Sequence, residues 1–580
     1  MEDFTWYGNQ TDVEGAALGA LAVIEPMIQR INLAGVINQH LPADVQAEFD
    51  HGTVLSLLTA ARLYSPVALS NVADWAQNSG ADILWNIPVE KLNDDRLGRS
   101  LDAFFTQRHS ILATLALHVA ATFDIPLNRL HYDPTHILFT GAYGAAAPRE
   151  EPDDGKTLID AALDPAHITK GRTMDDAPKG TRMVHAGLTT FIDELGPLPI
   201  FGHTIDGNQN GRTGIRQQLA LIRKLLKPQK FTMISDRGTF SVAHLLRLRE
   251  AKSYAICSVP WADVKSLFHK QRKVLKWKTA SFLSIEQQRR RDRESPLPQE
   301  HYELSVLDHS CCDNESGQSI KCRVIFVFST ADQKVVRQQR QKQIDRITAE
   351  MQQIEKSVAA GRYNDKMSAV TKRVARAFGT SQADRYFSWQ LKKLNAAECK
   401  KLPSAARGCR PPTHRFDWSY DASKVHDDEQ DDGYSATVTT VPKSMHSGDQ
   451  VFTMFREQNL VEHANRQFKG PLAVRPVFLH TPQRVEALVF LLMIALMVYF
   501  LVQRTYRSNT SDDAPQKERR MTAATILKTF SNYTVLIQRN LTGRDVSPTR
   551  LTTRQRNILN RLEFPTPAQT LSRRLPRPPN

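Results

Sequence analysis

Three acids carry the chemistry this sequence offers. Asp133 sits inside an alternating, strand-forming run, Arg129-Leu-His-Tyr-Asp-Pro-Thr-His-Ile-Leu-Phe139. A carboxylate there is costly unless it is paired or binds a cation, and Pro134 beside it is unfavourable in a central ladder. Asp236 ends a second apolar run, Phe231-Thr-Met-Ile-Ser235, and Arg237-Gly238 turns the chain toward a helix. Ends of sheet strands are where open α/β folds hold ligands. Each feature alone is ordinary, because a lone strand Asp is usually a turn or edge residue and an Asp-x-Gly loop is common. On neighbouring strands, however, the two carboxylates would repel across a small gap unless a divalent cation intervened. Oxygen-only ligands suit Mg²⁺ or Mn²⁺. Glu462, on the helix-forming segment Gln450–Phe468, is the candidate third acid that would complete two metal sites.

The order of elements supports that neighbourhood. Apolar residues recur at helical spacing through Ala17–Leu33, Val54–Leu63 and Leu101–Val119, which predicts a helical N-terminal domain over 1–126, with Asn93 a helix-start signal. From 127 to 260 the pattern changes to three strands (from Arg129, Met183 and Leu198), a helix at Ile215–Leu226, the strand ending at Asp236, a helix at Val242–Ala251, and a strand at Ser253–Val259. A polar loop, Pro148–Arg182, separates the first two strands. Three adjacent strands followed by alternating helices and strands is the order of an α/β, ribonuclease-H-like core, in which the first and fourth strands lie side by side. Residues 261–449 then read as a mixed, β-rich insertion domain. Strands are expected at Cys322–Ser329, Arg385–Leu391, Arg415–Tyr420 and Tyr434–Val441, with one long charged helix over Val335–Phe378. Residues 450–508 return to the core with the Glu462 helix and an apolar helix, and 509–580 form a basic C-terminal tail.

With these segments in place, the chain resembles a DDE transposase of the insertion-sequence-4 type that carries a β-rich insertion before its Glu. The resemblance rests on the Asp94-Asp-Arg-Leu-Gly-Arg99 stretch of the helical domain, Asp133-Pro-Thr135, Asp236-Arg-Gly238, and the run from Glu462 through Phe468-Lys469-Gly470 and Val474-Arg-Pro-Val-Phe478 to the apolar helix. The family's Glu segment reads Tyr, two residues, Arg, three residues, Glu, six residues, Lys. Glu462 and Lys469 keep that spacing, whereas Phe455 stands at the Tyr place and Gln458 at the Arg place. The resemblance implies DNA cleavage and strand transfer with two Mg²⁺ or Mn²⁺ ions on Asp133, Asp236 and Glu462. Lys469, Arg237, Arg456 and Gln458 are the implied DNA contacts: Lys469 at terminal phosphates, Arg237 beside the acids, and Gln458 at the place of the family's arginine, with Arg456 standing in for that arginine. The implied partners are transposon ends and target DNA, with a homodimer in the synaptic complex. A catalytically inactive DNA-binding relic or domesticated copy is the alternative, and Gln458 favours it.

Charge and composition agree with a DNA partner. Lys and Arg number 76 against 61 acids, a net charge of +15, and such a surplus favours polyanions through phosphate contacts and counterion release. From Arg504 to Asn580 there are 15 Lys or Arg and 5 acids, so most of the surplus lies in the C-terminal tail, whose Pro- and Arg-rich end reads as disordered. The six cysteines form no Cys-x-x-Cys pair, which argues against structural zinc. The polar N-terminus lacks the apolar stretch of a signal peptide, so a cytoplasmic location without membrane attachment is expected. Ala487–Val502 is sixteen unbroken apolar residues, short of the roughly 20 a bilayer span needs, and reads as a buried core helix. His131 and His136 fall on opposite faces of their strand, Asp206 reads as a turn residue, Thr135 as either a neighbour that orients ligands or phosphate or a structural residue, and Trp389 and Trp418 as packing residues.

Overall fold

The computed structural model describes residues 13–41, 48–139, 164–171, 181–209, 211–227, 230–292, 300–364, 366–395, 397–398, 412–470, 479, 481–540 and 543–574. Most of the Pro148–Arg182 loop and the end of the Pro- and Arg-rich tail lie outside these residues.

The molecule is a mixed α/β structure. Its first strand is β1 (Val13–Ala16), after which helices at Leu21–Arg30, Leu33–His40, His51–Tyr64 and Asp94–Thr122 occupy the predicted helical region. Asp50 caps the third of these by accepting from the Thr53 amide at 2.7 Å, and Asn93 caps the last by accepting from Arg96 at 2.9 Å. Asp94 and Asp95 then place two carboxylates in the first turn, where the helix dipole favours them.

The main sheet contains β2 (Arg129–Phe139), β3 (Thr169–Lys170), β4 (Arg182–Asp193), β5 (Gly196–Asp206), β6 (Thr232–Ser235) and β7 (Tyr254–Val259). β2 pairs antiparallel with β4 and parallel with β6, β4 pairs with β5, and β6 runs parallel to β7. The first and fourth long strands are therefore neighbours, as the element order predicts.

The segment read as an insertion does not stand apart. β8 (Lys278–Thr279), β9 (Tyr302–Cys312), β10 (Ser319–Ser329) and β13 (Tyr434–Thr439) prolong the same sheet past β7, making ten strands among the described residues. β13 pairs with β7 through Ala436 opposite Val259 and with β10 through Val324 opposite Val438, covering what would otherwise be an open edge of β7. The remainder forms a satellite. The expected Val335–Phe378 helix is two helices, Thr330–Ala359 and Met367–Phe378, broken near Gly361 at φ +69. Ile347, Met351, Ile354 and Val358 of the first pack with Val370 and Val374 of the second and with Phe416. That phenylalanine lies on a two-stranded ribbon, β11 (Phe387–Lys393) and β12 (His414–Tyr420).

The apolar segment becomes a 27-residue helix, Pro482–Ser508, buried without interruption from Val485 to Tyr506. It is long and apolar enough to cross a bilayer, with a mean hydropathy of 2.7 over its most apolar 18 residues, yet that window is wholly buried within the protein. It packs on the Asp94–Thr122 and His51–Tyr64 helices and on β5. Glu486 ties these layers together. One of its oxygens accepts from Arg108 Nε and the other from the Ala166 amide, both at 2.6 Å. With both side chains almost completely buried, each charge depends on the other for compensation.

The basic C-terminal segment is no loose appendage. β14 (Val535–Asn540) pairs with β1 and with β15 (Gly543–Pro548), and Phe530, Ile558, Leu559 and Leu562 are buried in the main core. Lys517, Arg519, Lys528, Arg554 and Arg556 are exposed on folded elements, and the pairing of β14 with β1 joins this segment to the first described strand.

Candidate active site

The site forms where β2 and β6 stop running together. Their parallel register matches Tyr132 with Ser235 and ends there, so Asp236, the next residue, leaves β6 level with Asp133. Asp236 is extended (φ −82, ψ 168), and Arg237–Thr239 make a 3₁₀ turn in which the Asp236 carbonyl accepts from the Thr239 amide at 3.0 Å and hydroxyl at 2.7 Å. Asp236, Arg237 and Gly238 are exposed, while Asp133 is partly buried.

The third acid arrives on the Gln458–Lys469 helix, which packs on β2, β5 and the Pro482–Ser508 helix. Val461, Ala464, Asn465 and Phe468 face inward, leaving Glu462 and Lys469 exposed. Asn465 donates from Nδ2 to Asp133 Oδ2 at 2.6 Å. It follows Glu462 by three residues and so shares its side of the helix.

Burial pushes the Asp133 carboxyl up to about 7, with the Asp236 and Glu462 charges adding to the shift and the Asn465 hydrogen bond and Lys469 charge opposing it. The three predicted acids thus share one electrostatic neighbourhood, with Lys469 at its rim. Among the described residues, no three His, Cys, Asp or Glu side chains are close enough together to hold one ion. The acids stand open. An oxygen-only set with two exposed members fits a hard cation that keeps several of its waters.

Two expected DNA contacts are corrected. Gln458 is buried, and its Oε1 lies 3.1 Å from Nδ1 of fully buried His131, so the helix phase turns it inward. Burial holds His131 down to about 3, so the imidazole is neutral and a polar, uncharged Gln suits it. Arg456 is engaged elsewhere: it donates from Nη2 to the Tyr302 hydroxyl at 3.1 Å and lies over the Phe282 and Tyr302 rings at 5.6 and 5.2 Å. It ends the preceding helix, Gly448–Arg456, which it fastens to β9, and does not take the place left by Gln458. Arg237 and Lys469 remain on the surface beside the acids.

The other residues fall out more simply. Thr135 and His136 are buried. Asp206 ends β5 as a buried carboxylate accepting from the His167 amide at 2.8 Å, so it anchors a neighbouring segment as well as preceding a turn. Trp389 stacks on Phe416 at 5.8 Å, and Trp418 donates to Glu355 at 2.8 Å, which makes both part of the satellite's packing. Sequence reasoning missed Asn465, whose one signal was its three-residue spacing from Glu462. It also missed Glu457, which breaks the expected Gln450–Phe468 helix in two, lies 3.4 Å from Arg129, and is pushed up to about 7 by burial.

Comparison with known proteins adds one match. Residues 13–117, less than a fifth of the chain, match the family described as a domain of unknown function (DUF4277). No curated protein matches the chain.

Proposed function

We propose that this chain is a transposase of a bacterial insertion sequence, with a ribonuclease-H-like core that cuts and joins DNA. The observation that carries the reading is the meeting of Asp133 on β2 with Asp236 at the end of parallel β6, beside a helix that presents Glu462 and clasps Asp133 through Asn465. The N-terminal match supports it, since that domain is often found in transposases.

Asp133, Asp236 and Glu462 are the residues that would hold two Mg²⁺ or Mn²⁺ ions. When bound, such ions acidify an attacking water or 3′ hydroxyl and stabilise the leaving oxygen of an in-line displacement. Asn465 holds one oxygen of Asp133 in place and leaves the other for a ligand. Lys469 offers a point charge to a terminal phosphate, and Arg237 a fork of donors next to Asp236. Two ends must meet for strand transfer, so a homodimer acts in the synaptic complex, on DNA in the cytoplasm.

A second reading is a DNA-binding relic without turnover. It is favoured by the open spacing of the acids and by the inward Gln458. Purified full-length protein, with Mg²⁺ or Mn²⁺ and DNA carrying the element's own inverted-repeat ends, separates the two. The transposase reading expects cleavage and strand transfer that disappear in Asp236→Ala. Strand transfer surviving that substitution would sink the three-acid site, and ends that are bound but never cut by the wild type would favour the relic.

A further inference from the structure

The end of the sheet farthest from the acids carries a second feature. There β6, β7 and β10 begin and β9 and β13 end, and the surface is an open trough of two adjoining recesses of about 660 and 740 Å³ that share Ser310, Lys321 and Thr440. Lys230, Arg249, Lys252, Lys321 and Lys443 line it, and a third recess continues it through Lys252 to Arg223 and Lys227. All seven cations are exposed. None is ion-paired among the described residues. Arg249 spends its donors on the Ser319 carbonyl and Gln318 side chain, which neutralise nothing. Two acids also line the trough, Glu250 and Asp308, and the charge of Asp308 is already felt by Arg323 beside it.

Seven like charges gathered on one surface repel one another, so the arrangement costs stability unless a polyanion neutralises it. The chemistry of the walls narrows the choice of polyanion. Ser310, Ser319 and Thr440 add hydroxyl donors of the kind that, with Lys and Arg, make most contacts to DNA phosphates. Of the rings in the two larger recesses, Tyr254 is largely covered and only the small imidazole of His309 is exposed, so the trough lacks the row of aromatic platforms that single-stranded nucleic acid uses. Its aliphatic lining residues Ile320 and Val441 are already buried in the protein and leave no exposed apolar anchor for a protein partner.

We propose that this trough is a second DNA site, gripping the backbone of duplex DNA without reading its sequence. β6, four residues and roughly 13 Å long, separates it from Asp236, and the trough is assigned to a stretch of duplex other than the one being cut. The inference rests on the transposase reading for its biological sense: a flank or target helix would be held on one end of the sheet while the acids act at the other. Its chemistry rests on the trough alone.

The test is binding of a random-sequence 30-base-pair duplex by the full chain, followed by fluorescence anisotropy across 50 to 200 mM salt with a chelator present, so that no cutting occurs. The triple variant Lys230→Gln, Lys252→Gln, Lys321→Gln removes three charges and keeps the side-chain stems. Lys334→Gln, Lys342→Gln, Lys356→Gln does the same on the exposed face of the Thr330–Ala359 helix. Each lost phosphate contact lowers the slope of log affinity against log salt by about 0.9, so the trough variant should lose ~2.7 from that slope, and its affinity should fall about 40-fold less than that of the wild type across this range. The control triple should match the wild type, and both variants should melt with it. An unchanged slope in the trough variant overturns the proposal, as does a wild type with no affinity for the duplex or one that prefers single-stranded DNA or RNA. The two readings fail separately: a chain that binds through the trough but never cuts its element's ends defeats the transposase, and one that cuts with an unmoved slope defeats the trough.

Discussion

Replacing Asp133 with Asn should make the metal-free protein more stable, and more so at high pH. Folded Asp133 holds its proton up to about pH 7, whereas an unfolded Asp releases it near 3.9. Between those values the folded chain binds the extra proton, so stability falls as pH rises from ~4 through ~7 and the full penalty stands above 7. About three pKa units correspond to ~4 kcal/mol. Asn carries no charge at any pH and still offers Asn465 an acceptor, so Asp133→Asn should recover on the order of 4 kcal/mol at pH 8 and less than half of that at pH 5. A 580-residue chain unfolding as one unit with about 2.1 cal/mol/K per residue gains ~0.8 °C per kcal/mol. Differential scanning in chelator should therefore read a rise of about 3 °C at pH 8 and about 1 °C at pH 5. In a second arm, Mn²⁺ at about 100 times its Kd should stabilise the wild type by ~2.7 kcal/mol and the variant by much less. A gain that does not change with pH, or a loss at pH 8, would refute the view of Asp133 as a carboxylate held at an energetic cost for a cation.

Three further outcomes are expected. Asn465→Leu removes the donor that opposes the upward shift of Asp133, so metal-dependent cleavage should fall about 10- to 100-fold, the usual cost of losing an outer partner of a metal ligand; its pH profile should move toward alkali, and an unmoved profile would leave Asn465 a packing residue. Glu486→Ala strands Arg108 as an uncompensated buried charge and should cost about 3–5 kcal/mol in urea unfolding, whereas Arg108→Met with Glu486→Leu should come close to wild type. Gly202→Ala would place a methyl 2.7 Å from Met493 Sδ and 3.0 Å from the Gly187 carbonyl, forcing β5 and the Pro482–Ser508 helix apart at about 1–3 kcal/mol, read as a lower Tm with unchanged affinity for DNA.

What could be read from the sequence follows the range of the forces involved. The strands of the first core segment announce themselves through alternation and the polar or Gly-rich breaks between them, and the meeting of Asp133 and Asp236 needs only their order. The pairing of Ala436 with Val259, between strands far apart in the chain, has no local signature, because a strand's partner is set by tertiary context rather than by its own propensity. Charge misled twice. The C-terminal cations suggested a loose tail, although Ile558, Leu559 and Leu562 fall at the spacing of a helix with one buried face. Gln458, at the place of a phosphate-contacting arginine, reads from the sequence as a DNA contact, and only the phase of that helix against His131 shows that it points inward.

That phase explains why the site has one fixed acid and two freer ones. The inward face of the Gln458–Lys469 helix is pinned by Val461, Ala464 and Phe468 against the core, and Gln458 and Asn465 bond to His131 and Asp133 of a single strand. Both bonds cross the same helix–strand contact, so the helix cannot rotate without breaking one of them. Rotation is what would carry Glu462 away from Asp133. An Arg at position 458 would bring a charge against neutral His131 and disturb this setting, so the departure from the family's pattern is consistent with a helix anchored through its buried face. Catalytic groups work best when rigid elements and their buried neighbours hold them. Here the anchoring falls on Asp133, while Asp236 on its turn and Glu462 on the outer face stay exposed, which is what the proposed metal site would need of them.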